Sequence, residues 1–141
     1  MLLTMFSMVL LTFAVGCITL YIRFTSVKKR DVSIKYFQLM HDNNGKQIPD
    51  IVAKTGNHFS NLFETPVLFY VAASLTLIMG VETRLALVLA WLYVGFRIMH
   101  AYIHLTYNNV LHRMCVFWLS CFCILGLWIN LLLKLDGLRL F

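Results

Sequence analysis

Asn57-His58-Phe59-Ser60-Asn61-Leu62-Phe63-Glu64-Thr65-Pro66 leads directly into the apolar run Val67-Leu68-Phe69-Tyr70-Val71-Ala72-Ala73. A carboxylate thus enters what otherwise reads as chain embedded in hydrocarbon. An ionisable group at that depth costs about 2.5–3.5 kcal/mol on insertion scales unless it meets a partner inside the protein. At helical spacing Asn57, Asn61 and Glu64 share one face. Pro66 has no amide hydrogen and clashes with the carbonyl of Leu62, so a kink is expected within a turn of Glu64. The rest of the chain has to supply whatever that polar face meets.

The 141 residues are 60% hydrophobic and 13% charged, against about 25% charged in a soluble domain. Mean hydropathy is +0.78. The class is an all-α integral membrane protein, folded as a single domain with no room for a second. A net charge of +6 reports orientation in a membrane more than affinity for nucleic acid, which is not an expected partner. Cys17, Cys115, Cys121 and Cys123 lie in apolar runs without a CxxC pair. They read as small buried hydrophobes, and neither a metal site nor a disulfide framework is expected.

Four spans follow from hydropathy, at about 1–23, 59–81, 85–107 and 113–133. Met1 to Ile22 carries no charge and is long enough to cross a ~30 Å core. Without a basic leading segment or a small-residue cleavage site, it reads as a retained span rather than a signal. Residues 24–57 form a polar loop rich in lysine and arginine. It is expected to hold a short amphipathic helix at 34–40 and a turn at His-Asp-Asn-Asn-Gly, 41–45. Its basic run satisfies the positive-inside rule and also suits acidic lipid or a ligand carboxylate. Val81-Glu82-Thr83-Arg84 is a tight link that returns the third span antiparallel beside the second. Asn108-Asn109 ends the third span, His112-Arg113 opens the fourth, and Lys134, Asp136 and Arg139 form a short tail.

The basic residues divide nine to three between the two ends of this up-down bundle. The richer end includes Arg23, Lys54, Arg97 and Arg113, so the long loop is expected in the cytoplasm and both termini outside. Arg97, His100 and His104 share one face of the third span, extended by Tyr93 and Tyr107. The helical rise puts Glu64 about 9 Å, His100 about 10 Å and Arg97 about 15 Å from the cytoplasmic ends of their spans. Glu64 is therefore expected to pair with Arg97 or His100, with Asn61 adding hydrogen bonds. Three readings of that cluster remain open: a structural ion pair, a proton or ion relay, and a polar pocket for a ligand. Trp91, Trp118 and Trp128 read as interface or packing residues.

Asn61-x-x-Glu64-x-Pro66 in the second span, with Arg97-x-x-His100 in the third, resembles the MAPEG family, membrane-associated proteins in eicosanoid and glutathione metabolism. The run Phe59 to Tyr70 looks most like its bacterial inner-membrane members, and the likeness extends from about Asn57 to Trp118. The resemblance implies a four-helix protomer, a homotrimer, and glutathione as co-substrate held between protomers near the cytoplasmic face. It further implies that Asn61 and Glu64 hold the glutathione backbone, with Glu64 on its amino group. Arg97 and His100 would line the pocket, Arg23 would meet a carboxylate, and Arg113 would stabilise the thiolate. Two positions depart from the family pattern. Asn57 stands where the family often has arginine, and His104 where it often has tyrosine.

Two functions of different class follow. One is a glutathione-dependent transferase or peroxidase acting on a lipophilic electrophile, with Arg113 catalytic and Asn61, Glu64, Arg97, His100, His104 and Arg23 binding. The other is a non-catalytic membrane protein whose polar cluster is structural or binds lipid. Gly16, Gly80, Gly95 and Gly126 lack GxxxG spacing, so sequence motifs alone do not mark a helix-association face.

Overall fold

The computed structural model describes residues 1–39 and 47–139. The elements are α1 (Leu2–Lys28), α2 (Ile34–Leu39), α3 (Asp50–Asn61), α4 (Thr65–Ile78), α5 (Arg84–Leu105) and α6 (Val110–Arg139). Among the described residues there is no strand. Leu2–Lys28, Asp50–Ile78, Arg84–Leu105 and Val110–Leu135 are each long and apolar enough to cross a membrane. The second of these is α3 and α4 together, broken at residues 62–64. The expected kink beside Glu64 is therefore a full interruption.

Contacts along the helices fix the up-down order. Thr19 of α1 donates through Oγ1 to the carbonyl of Thr55 on α3 at 3.4 Å. Three residues away on α1, Gly16 leaves room for Phe59, since a Cβ there would come within 3.1 Å of the ring. At the opposite end the amine of Met1 lies 2.8 Å from Glu82 in the α4–α5 link. That link turns on Gly80, whose φ of +64° is open to glycine at little cost. Thr83 then caps α5, accepting from the amide of Ala86 at 3.0 Å, and its hydroxyl donates to Asn130 Oδ1 at 3.0 Å. These bonds tie the start of α5 to the far part of α6, as an antiparallel pair requires.

Small residues line the seam. Ala72 and Ala73 of α4 and Ala86 and Ala90 of α5 are buried with Met8, Val15, Phe69, Val94 and Leu127. Lipid is as apolar as leucine, so close van der Waals packing, not water exclusion, holds such helices together, and small side chains permit it. The outer surface carries Leu3, Phe13, Phe24, Ile78, Leu111 and Leu133, all exposed, as a lipid-facing surface should.

The helices outrun the hydropathy boundaries. Helix α1 continues to Lys28, and its 27 residues reach about 40 Å, well beyond the hydrocarbon core. The second span begins at Asp50, inside the expected 24–57 loop. Asp50 and Lys54 hide this segment from a hydropathy average, but Val52, Thr55 and His58 form a buried face. Asp50 in its first turn also complements the helix dipole. The expected tail at 134–139 is likewise the helical end of α6, and the third span stops at Leu105, two residues short of expectation. The amphipathic helix at 34–40 appears as α2, Ile34–Leu39. Met40 and the turn at 41–45 lie outside the described residues.

Candidate functional site

The break between α3 and α4 builds the first part of the site. After Asn61 the backbone tightens: Leu62 and Phe63 donate to Phe59 and Ser60 at 3.1 and 2.9 Å. Pro66 occupies the first turn of α4, where its missing amide hydrogen leaves no helical bond unmade. In an unbroken helix the carbonyl of Asn61 would accept from Thr65. Here it takes a long 3.4 Å contact from the amide of Glu64 and stays open to a side chain.

Arg97 fills that opening. Its Nη2 donates to the Asn61 carbonyl at 3.1 Å and to Asn61 Oδ1 at 2.8 Å. The arginine is fully buried, with its carbon Cζ 6.0 Å from the ring centroid of Phe117 on α6. The expected pairing of Glu64 with Arg97 or His100 does not form. Glu64 is exposed and makes no ion pair among the described residues. The three-residue turn takes Glu64 off the inward face, and the arginine meets an amide and a carbonyl instead of a carboxylate. Asn57 is also exposed. The inward face of α3 runs through Val52, Thr55 and His58.

His58 is the residue that sequence reasoning missed. It is fully buried and packs against two histidines of α5, with ring centroids 5.4 Å from His100 and 4.9 Å from His104. His100 and His104 are themselves 5.8 Å apart. Among the described residues neither ring nitrogen of His58 has a hydrogen-bond partner, nor do the Nδ1 atoms of His100 and His104. The available signal was the three-residue spacing of Val52, Thr55 and His58, which places the histidine with the buried side chains. Among the described residues no group of histidine, cysteine, aspartate or glutamate is arranged to hold a metal ion. Two guanidiniums beside the imidazoles favour an anion there over a cation.

Arg113 stands at the mouth of this cluster. Its Nη1 donates to Asn108 Oδ1 at 3.0 Å and lies 3.3 Å from His104 Nε2. Since arginine only donates, His104 accepts through Nε2 and carries its proton on Nδ1. Asn109 caps α6, its Oδ1 accepting from the amides of Leu111 and His112 at 3.0 and 3.2 Å. That cap starts α6 where Arg113 faces α5. A cavity of about 290 Å³ lies here, lined by Asn61, His100, Val110, Arg113, Met114 and Phe117.

Arg97 and His104 are absent from that lining and stand behind it, touching Asn61 and Arg113. Arg23 lies elsewhere, over the ring of Phe37 at 5.4 Å and beside Gly56 of α3. Of the expected stripe on α5, Tyr93 is buried and stacks on Phe69 at 4.5 Å. Tyr107 leaves the stripe, because α5 ends before it, and contacts His112 Nδ1 at 3.1 Å.

Fold and site together define a small integral membrane protein, four spans around a buried basic cluster that opens beside Arg113. The sequence profile of the MAPEG family matches residues 1–133, and the chain belongs to that family of membrane proteins of eicosanoid and glutathione metabolism. No curated protein and no solved structure gives a significant match.

Proposed function

We propose that this protein is a glutathione-dependent membrane enzyme, a transferase or peroxidase acting on a lipophilic electrophile that arrives from the bilayer. The observation that carries this reading is Arg113, half-buried at a cavity it shares with Asn61 and His100. Only a thiolate is an effective sulfur nucleophile, and a neighbouring guanidinium lowers a thiol pKa from ~8.5 toward neutrality. In a conjugation the thiolate sulfur would bond to the electrophilic carbon while the leaving group departs with its electron pair. Arg113 would hold the sulfur's negative charge until that bond forms. Asn61 and His100 would contact the tripeptide, with Arg97 acting through Asn61 and His104 through Arg113. Arg23 would serve a carboxylate only at the edge of such a site.

In this reading the working unit is a homotrimer, with glutathione between neighbouring copies. Glu64 supports it, since a carboxylate left facing lipid costs about 2.5–3.5 kcal/mol, and an adjacent copy with bound glutathione would relieve that cost. The nine-to-three division of basic residues supports an orientation with both termini non-cytoplasmic, in a bacterial inner membrane.

A second reading, a structural or lipid-binding cluster without catalysis, is favoured by the Arg97–Asn61 bond, which knits α5 to α3 without any ligand. Calorimetry on the purified protein in detergent separates the two. Heat that saturates with glutathione supports the enzyme, and its absence at millimolar glutathione rejects it.

A further inference from the structure

We propose that Asn108 is a positioning residue for Arg113, holding one edge of its guanidinium so that the other edge is presented to the cavity. The proposal rests on the glutathione reading for its catalytic meaning, but not for its geometry. Asn108 has φ +48°, the left-handed region that asparagine tolerates better than other residues with a side chain. Its amide donates to the carbonyl of Ile103 at 2.8 Å, closing the end of α5. That turn carries its side chain to α6, where Oδ1 accepts from Arg113 Nη1 at 3.0 Å. His104 Nε2 accepts from the same nitrogen at 3.3 Å.

Nη1 has two hydrogens, and these two acceptors engage both. Nε and Nη2 take no part in those two bonds, and Arg113 lines the cavity together with Asn61 and His100. An arginine has many rotamers to lose on being fixed, so a guanidinium at a half-open cavity needs such a hold to keep one direction. Asn108 thus does two things at one position: its backbone ends a helix and its amide aims an arginine.

Asn108→Gly separates these roles, because glycine adopts positive φ readily and removes only the amide. In the full-length protein in detergent, an arginine-selective dicarbonyl reagent followed by mass spectrometry should modify Arg113 several-fold faster in Asn108→Gly than in wild type. Exposed Arg84 is the internal reference and should not change. Asn108→Asp keeps the acceptor and should retain the protection. With glutathione, Asn108→Gly should lower kcat roughly 5- to 10-fold, less than the loss of a whole charge-assisted contact because Arg113 itself remains. KM should stay within about two-fold, and the ultraviolet thiolate band of bound glutathione should weaken. Unchanged Arg113 reactivity in Asn108→Gly overturns the proposal whatever glutathione does. If reactivity rises while wild type shows neither glutathione heat nor a thiolate band, the positioning stands and the glutathione reading falls.

Discussion

Arg97 and Asn61 are joined through a single nitrogen: Nη2 donates to both the main-chain carbonyl, at 3.1 Å, and the side-chain Oδ1, at 2.8 Å. One guanidinium edge therefore closes the broken end of α3 and orients the asparagine that borders the cavity. The arginine's other donors, Nε and Nη1, have no partner among the described residues, so this bond carries most of what compensates its burial.

Arg97→Ala should accordingly be a folding mutation. It leaves the half-buried carbonyl and side-chain oxygen of Asn61 unanswered and opens a void beside Phe117, a combined loss of about 3–5 kcal/mol. Thermal melting in detergent should show a large drop, and Arg97→Lys should recover only part, because an ammonium lacks the planar fork. An Arg97→Ala protein that melts like wild type would mean that the α3–α4 break holds itself together.

Glu64→Gln should do the opposite. The carboxylate is exposed and outside every ion pair described, so the melting of a single protomer should not fall, and should rise where the carboxylate faces lipid. If the glutathione reading is right, affinity for glutathione should fall in calorimetry. Loss of the oligomer in light scattering, with glutathione turnover untouched, would instead make Glu64 an assembly residue.

Arg113→Ala should reduce kcat by roughly 30- to 150-fold, corresponding to a charge-assisted contact of about 2–3 kcal/mol. KM for glutathione should rise much less, because the lost interaction is stronger with a thiolate than with the neutral thiol. Steady-state kinetics at saturating glutathione read the split directly. Equal turnover in wild type and variant would remove Arg113 from the chemistry and leave its position to the positive-inside rule.

His58→Phe should stabilise the protein while harming its activity. Both imidazole nitrogens are buried without partners among the described residues, and an apolar ring of similar shape removes that penalty, worth on the order of 1 kcal/mol. A melting temperature a few degrees higher, together with lower turnover, would identify His58 as a polar group retained for function. A lower melting temperature would show that its nitrogens are answered in the assembled protein.

The fold was legible because its signals are local and large. Four charge-poor stretches, a proline after Glu64 and a short link at 81–84 suffice for a four-helix up-down bundle. The approach of α3 to α5 beside Arg97 was also legible, from depth along antiparallel helices. The partner within that meeting was not. Reading Asn57, Asn61 and Glu64 as one face assumed a continuous helix through residue 64, and the proline that announced a kink also ended the helix and turned Glu64 outward. His58 stayed hidden because a histidine beside Asn57, in a stretch that also holds Asp50 and Lys54, gives a hydropathy average no reason to bury it. Asn108 passed as a helix breaker, since sequence records that asparagine can turn the chain but not where its amide then points.

Pro66 and Arg97 stand on different helices, yet each gives the other its purpose. The proline cannot continue α3, and in the turn before it the Asn61 carbonyl parts from the Thr65 amide and anchors a charge that the bilayer interior would otherwise reject. A chain that lost Pro66 would regain an unbroken ladder, return that carbonyl to Thr65, and leave a buried guanidinium with one acceptor fewer. Inheritance of the two positions is therefore coupled. Among relatives, a lineage should discard the proline only after, or together with, the arginine, and the order of those two losses can be read from a family tree without purifying a protein.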